Sequence, residues 1–345
     1  MIDVANIVGT LIVFGPVALF AGLLSAGLIV VLMPGLKAYA LARPNARSSH
    51  RVPTPQGGGS AVVAATLAAG WGAAILFGIY PQETGNEFLA LTAAVILLAV
   101  VGAVDDVRHL RPLPRLLLQS LAIGIVVAGL PQELRVVPML PWGLERVCLF
   151  LGALWFVNLT NFMDGIDWMT VAEAVPITTA IVLLGLLGAV GALPTLMALA
   201  LLGAMLGFAP FNKPVAKLFL GDVGSLPIGL LLAWLLLRLA ANGYLAAALL
   251  LPLYYLADAT LTLLRRLVAG ERVWQAHRSH FYQRALDHGF TVPEVVTRVC
   301  VVNFALAALA VMTVTEPGGI FSWAALAIGV ALVGWLLAVL AAGKT

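Results

Sequence analysis

Residues 97–115 read LLAVVGAVDDVRHLRPLPR. An unbroken apolar run stops on two adjacent aspartates, and three arginines and a histidine follow within nine residues. This is the pattern of a membrane helix that has just reached water, and the rest of the chain repeats it. Of 345 residues 62% are hydrophobic and only 10% charged, against about a quarter charged in soluble domains; the mean hydropathy is +1.04. Apolar stretches of roughly 18 or more residues mark spans. They fall near 8–33, 60–80, 87–104, 115–130, 144–160, 170–191, 194–209, 225–241, 244–264, 295–315 and 319–341. The reading is an all-α polytopic integral membrane protein with about eleven transmembrane helices. No low-complexity tract, heptad run or internal repeat divides it, so 1–345 reads as a single domain.

The basic residues orient the chain. With the N-terminus outside, the inner loops and tail carry Lys37, Arg43, Arg47, Arg51, Arg108, Arg111, Arg115, Lys213, Lys217, Arg265, Arg266, Arg272, Arg278, Arg284, Arg298 and Lys344, leaving Arg135, Arg146 and Arg238 outside. That asymmetry predicts N-out, C-in topology. A pI near 9.0 then reflects cytoplasmic loops facing anionic lipid, nucleotide or phosphate, and it does not point to nucleic acid. Cys148 and Cys300 fall in predicted helices and read as buried small hydrophobes. Neither disulfide nor zinc spacing is present.

Nearly every unusual polar residue lies in five inner loops, 34–59, 105–115, 161–168, 210–225 and 265–294, which points to one site at the inner membrane face. Asp105 and Asp106 would repel unless a cation or the following arginines stand near; a helix end meeting water is the plainer reading. Asp164 and Asp222 each adjoin glycine, and either alone would be an Asp-Gly turn. Four acids from separate loops instead suit a hard cation, Mg²⁺, held by one or two carboxylates and substrate phosphates. In NLTNFMDGIDWM, residues 158–169, the polar side chains Asn158, Asn161, Asp164 and Asp167 recur every third position. That spacing gives a one-sided stripe on a helix ending at Gly165. HRSHFYQR, residues 277–284, offers cations for clamping phosphates, though basic loops are often simply solvated. Asp258, inside the ninth span, reads equally as functional or as the partner of Arg265 or Arg266.

PNARSSHRVPTPQGGG, GAVDDVRHLRPLPRLLLQ, NLTNFMDGID, FLGDVGSLPIG and HRSHFYQ, in this order over residues 44–283, resemble the polyprenyl-phosphate N-acetylhexosamine-1-phosphate transferases. This is glycosyltransferase family 4, which includes the phospho-MurNAc-pentapeptide translocases and the initiating transferases of O-antigen and teichoic acid. The resemblance implies an enzyme of the bacterial cytoplasmic membrane with a cytoplasmic active site. Undecaprenyl phosphate would attack the sugar-linked phosphorus of a UDP-N-acetylhexosamine, releasing UMP, with Mg²⁺ or Mn²⁺ as cofactor. It implies Asp105 and Asp106 as catalytic residues handling the lipid phosphate, and Asp164 and Asp222 as metal ligands. It places Asn161 near metal and nucleotide, Asp167 and Phe219 on uracil, and His277, Arg278 and His280 in the substrate-binding loop. Homodimers occur in the family.

The departures bear on the donor. His-Arg-Ser-His replaces the translocases' three consecutive histidines, and His109 stands where they have lysine. Both argue against the pentapeptide donor and toward the O-antigen-initiating branch, with UDP-GlcNAc or a 6-deoxy relative such as UDP-FucNAc or UDP-QuiNAc. Trp168 stands where many relatives have glycine. Phosphoryl transfer needs positioning and charge neutralisation above all, and a lipid phosphate with a second pKa near 6 is already largely ionised at neutral pH, so a general base adds little. A secondary transporter is the main alternative, but it predicts acids at span centres and an internal repeat. A CDP-alcohol phosphotransferase would need an Asp-Gly-x-x-Ala-Arg signature that is missing after Asp164.

Overall fold

The computed structural model describes residues 4–42, 52–79, 85–273 and 277–344, with side chains from residue 15 onward. Arg43, Arg47 and Arg51, and with them part of the first inner loop, lie outside the described residues. The chain forms α1 (Val4–Tyr39), α2 (Gly59–Leu76), α3 (Gly85–Arg108), α4 (Pro112–Gly129), α5 (Trp142–Met163), α6 (Met169–Leu186) and α7 (Ala192–Asn212). It continues with α8 (Asp222–Ala241), α9 (Leu245–Leu250), α10 (Leu253–Val268), α11 (Phe281–Asp287), α12 (Val292–Met312) and α13 (Ile320–Ala342). The described strands are the short antiparallel pair β1 (Leu41–Ala42) and β2 (Thr54–Pro55). The protein is all-α and polytopic.

Among the described residues, 10 helices are long and apolar enough to span a membrane: α1 to α8, α12 and α13. The expected ninth span, 244–264, is not one of them. It breaks at Leu251–Pro252 into the six-residue α9 and the 16-residue α10. Pro252 has no N–H to continue the ladder, and its ring clashes with the carbonyl one turn back. Beyond the break the helix is sided: Tyr254, Asp258 and Thr262 are buried, and Leu261, Leu264 and Leu267 are exposed. The two pieces together return the chain from the end of α8 to the end of the molecule that carries Asp222.

Helix α8 is the centre. It is apolar all round, as a core helix must be, and it packs against α2, α3, α5, α6, α7 and α9. Its far end is tied to α3, where buried Glu87 accepts from Trp234 Nε1 at 2.7 Å and from Arg238 at 3.1 Å. Helices α1 and α4 lie at the periphery with most of their surface turned outward. The cysteines are less enclosed than expected: Cys148 is exposed and Cys300 half-buried, because both sit on outward helix faces where an apolar thiol meets lipid.

Candidate active site

The site forms where α3, α5 and α8 end together. Gly102 lets α3 and α8 touch there, since a Cβ at this position would collide with the Asp222 carbonyl. One turn on, the Asp106 carboxylate accepts the first two amides of α8, Asp222 N–H at 2.9 Å and Val223 N–H at 3.1 Å. It therefore caps a helix that begins 116 positions later. The preceding Gly221 has φ +77°, and a side chain there would run into Asp106 Oδ2; only glycine meets both demands. Asp105, 7% exposed, is engaged differently: Oδ1 accepts from Leu110 N–H at 2.6 Å and Oδ2 from Arg115 at 2.9 Å. The Arg115 guanidinium also reaches Asp222 Oδ2 at 3.4 Å. The adjacent acids are thus kept apart by separate partners, and Arg115, one of the arginines that follow the pair, is the cation expected beside them.

Opposite them, Asn161 near the end of α5 donates to Asp222 Oδ1 at 2.8 Å and to Ser225 at 2.9 Å. Helix α5 ends at Met163, with Asp164 as its cap. The expected stripe therefore holds only for Asn158 and Asn161; Asp164 and Asp167 lie in the turn between α5 and α6. Asp164 accepts a short hydrogen bond from Thr170. Burial pushes its carboxyl up to about 8, the Thr170 hydroxyl opposing and the carboxylates of Asp222, Asp106 and Asp167 adding. Asp167 accepts from Ala216 N–H at 2.9 Å and so anchors the loop that leads to Phe219. That loop is joined to the first inner loop by the bridge between Gln56 and Phe219, and Gln56 donates to the Asp106 carbonyl at 2.8 Å.

Trp168 acquires a reason. It adopts φ +63°, the left-handed region that favours glycine, to turn the chain into α6. Two bonds hold it there: its N–H to Asn212 Oδ1 at 2.8 Å and its indole N–H to the Ala209 carbonyl at 2.7 Å.

These residues enclose a hollow of about 200 Å³ lined by Gln56, Asp106, Asn161, Asp164, Asp167, Asn212, Phe219 and Asp222 among others. Six of the ten residues expected from the sequence meet here. Asp105 lies behind the wall, bound to Arg115. His277 and His280 line a neighbouring cavity that shares Asn161. Arg278 lines neither described cavity and pairs with Asp287 at 3.2 Å. Asp258 pairs with neither Arg265 nor Arg266. It accepts from Phe281 N–H at 3.0 Å and Tyr282 N–H at 3.2 Å and lies 3.2 Å from His280 Nδ1. Arg266 turns to Glu271, and Arg265 lies over the Phe281 ring. Asn212 and Gln56 were missed by sequence reasoning, whereas Arg115 is one of the following arginines that the sequence offered to the Asp pair. Asn212, a polar residue closing an apolar run, was the one visible signal.

The donor set is all oxygen and mostly anionic, which suits a hard divalent cation. Among the described residues no three His, Cys, Asp or Glu side chains form a ready-made cage.

The model of the family described as glycosyl transferase family 4 matches residues 88–240. A probable undecaprenyl-phosphate N-acetylglucosaminyl 1-phosphate transferase of Bacillus subtilis is 28% identical over 287 residues, 80% of this chain and 78% of the relative. A decaprenyl-phosphate N-acetylglucosaminephosphotransferase of Mycobacterium tuberculosis is 31% identical over 291 residues, covering 74% of this chain and 71% of its own. A phospho-N-acetylmuramoyl-pentapeptide-transferase of Streptococcus sanguinis is 25% identical over 296 residues, 77% of this chain and 88% of its own. With its motifs gathered at one membrane face and relatives this similar along most of both lengths, the chain belongs to glycosyl transferase family 4.

Proposed function

We propose that this glycosyl-1-phosphate transferase moves an N-acetylhexosamine 1-phosphate from a UDP-sugar to undecaprenyl phosphate, giving undecaprenyl-diphospho-sugar and UMP. The observation that carries the reading is the carboxylate-lined hollow, where Asp106, Asp164, Asp167 and Asp222 meet Asn161 and Phe219. Relatives named for transfer to undecaprenyl or decaprenyl phosphate support it. Asp222 and Asp164 would hold Mg²⁺ or Mn²⁺, which supplies charge neutralisation on the donor diphosphate. Asn161 orients Asp222, and Asp106 fixes the helix end that presents it. Asp105 and Arg115 hold each other as a positioning pair beside the hollow. Asp167 steadies the loop that brings the Phe219 ring to the uracil. Neither Asp105 nor Asp106 acts as general base in this reading, because each carboxylate is engaged in holding protein and the lipid phosphate arrives ionised.

The site faces the cytoplasm of a bacterial inner membrane, with the N-terminus outside and the C-terminus inside. Arg115, Lys213, Lys217, Arg265 and Arg266 lie at the site end, whereas Arg146 and Arg238 lie at the opposite ends of their helices and Arg135 in the loop between α4 and α5. The donor is UDP-GlcNAc or a 6-deoxy relative and the product starts an O-antigen or related envelope glycan, on the strength of the HRSHFYQ pattern. Purified protein incubated with undecaprenyl phosphate, Mg²⁺ and a panel of UDP-N-acetylhexosamines is expected to release UMP and form the matching lipid diphosphate by mass spectrometry. UDP-MurNAc-pentapeptide is expected to be inert. Turnover of the pentapeptide donor overturns the choice of branch, and no UMP from any donor overturns the reaction.

A further inference from the structure

The carboxylates around the hollow are not held alike. Those of Asp106 and Asp222 each have two donors, Asp222 N–H and Val223 N–H for the first and Asn161 and Arg115 for the second. Among the described residues the Asp164 carboxylate accepts a single hydrogen bond, from the Thr170 hydroxyl to Oδ1, which leaves Oδ2 unengaged. The backbone beneath it is already pinned. Tyr282 donates to the Phe162 carbonyl at 3.1 Å, and its hydroxyl fills the place that a Cβ on Gly165 would take. Rotation of the carboxylate is the freedom that remains, and Thr170 is the group that removes it.

Thr170 stands in the first turn of α6, is 2% exposed and does not line the hollow, so it can act there only through Asp164. Its hydroxyl is used unlike those of other buried helical threonines. Thr66, Thr160, Thr178 and Thr195 return theirs to the carbonyl one turn back, the ordinary outlet inside a helix. Nor is it spent on capping, since α6 has no side-chain cap at its start. The left-handed turn at Trp168 brings this first turn of α6 back onto Asp164.

We infer that Thr170 is a positioning residue for the metal site, turning Asp164 so that Oδ2 is the oxygen presented to the divalent ion. The inference rests on the proposal that Asp164 and Asp222 hold Mg²⁺ and adds the group that aims one of them. The test measures the affinity of the purified protein for Mn²⁺ in detergent, with UMP in every sample, from the electron paramagnetic resonance signal of unbound Mn²⁺. Thr170→Val replaces the hydroxyl by a methyl of the same shape, and Thr170→Ser keeps the hydroxyl. Should the valine variant fail to fold, Thr170→Ala against Thr170→Ser isolates the same oxygen.

Loss of a hydrogen bond one layer behind a metal ligand should weaken Mn²⁺ binding about 10- to 100-fold in Thr170→Val. Thr170→Ser should bind close to the wild-type value. In turnover, the Mg²⁺ concentration for half activity should rise by the same factor, most of kcat should return at saturating Mg²⁺, and the KM for undecaprenyl phosphate should hold. Wild-type Mn²⁺ affinity in the valine or alanine variant, an equal loss in the serine variant, or a shifted KM for undecaprenyl phosphate with metal affinity intact overturns the role of Thr170. No Mn²⁺ binding by the wild type, or undiminished binding by Asp164→Asn, overturns the metal site itself instead.

Discussion

Asp106→Asn separates a capping carboxylate from a catalytic base. The native carboxylate takes Asp222 N–H on one oxygen and Val223 N–H on the other, at 2.9 and 3.1 Å. An amide keeps one acceptor and turns an NH₂ toward the second N–H. Removing a helix cap costs about 0.5–2 kcal/mol, and losing the charge at a helix N-terminus costs about 0.3–1 kcal/mol more. The expected loss is therefore about 1–3 kcal/mol, concentrated on the first turn of α8. If about 1.4 kcal/mol of it disturbs the pose of Asp222, the Mg²⁺ concentration for half activity rises about tenfold. The assay is turnover against Mg²⁺ concentration, with thermal inactivation in detergent and a pH–rate profile on the same preparations. A cap predicts a lower inactivation temperature, a raised Mg²⁺ requirement and a pH profile of unchanged shape. Loss of a pH limb, with Mg²⁺ requirement and inactivation temperature both unaltered, would refute the reasoning and restore Asp106 as the base.

Asp222→Asn and Asp164→Asn should each abolish turnover while leaving a folded protein in detergent; near-normal activity of either at limiting Mg²⁺ removes it from the metal site. Asp164 is held up to about 8, so a divalent ion must displace its proton. Calorimetry in buffers of different ionisation enthalpy should show proton release, with affinity rising as pH approaches 8 and flattening above. Without metal the same raised carboxyl makes stability fall as pH climbs from about 4 toward 8, and a pH-independent metal affinity contradicts both statements. Trp168→Gly should be more stable than Trp168→Ala by about 1 kcal/mol, because alanine keeps the left-handed strain and glycine relieves it; the reverse order of inactivation temperatures sinks that account. Arg278→Ala should alter donor kinetics less than about threefold, since exposed ion pairs contribute little. His280→Ala should cost more, because His280 is buried against the Asp258 that holds the start of α11; equal effects argue that the loop acts only through its charge.

The fold was legible wherever burial and length coincide. Runs such as 87–104 need no tertiary knowledge, because a lipid-facing helix carries its own solvent preference in every residue. The failure at 244–264 was readable too. Pro252 sits in mid-run, and Tyr254, Asp258 and Thr262 repeat every fourth position, so two signals spoke against a single straight span. The site residues stood out as polar groups at apolar boundaries, but their partners did not. Asp106 spends itself on backbone N–H groups, which leave no mark in a sequence. Arg115 could not be told from the solvated arginines beside it. Thr170 opened an apolar stretch, where composition counts one hydroxyl as noise. The i+3 stripe misled because periodicity says nothing of where a helix stops, and α5 stops at Met163.

The cap that joins α3 to α8 also sets an order of events during synthesis. Asp106 leaves the ribosome 116 residues ahead of Asp222, an interval of about 6–23 seconds at about 5–20 residues per second. Through that interval its carboxylate has no helix to hold and must stay at the wet surface, so α3 is inserted with its acidic end exposed. The hollow closes only when α8 arrives and offers its amides, which makes the centre of the enzyme one of the last things its membrane insertion completes. A nascent chain halted before α8 would carry the seven spans α1 to α7 around no closed site at all.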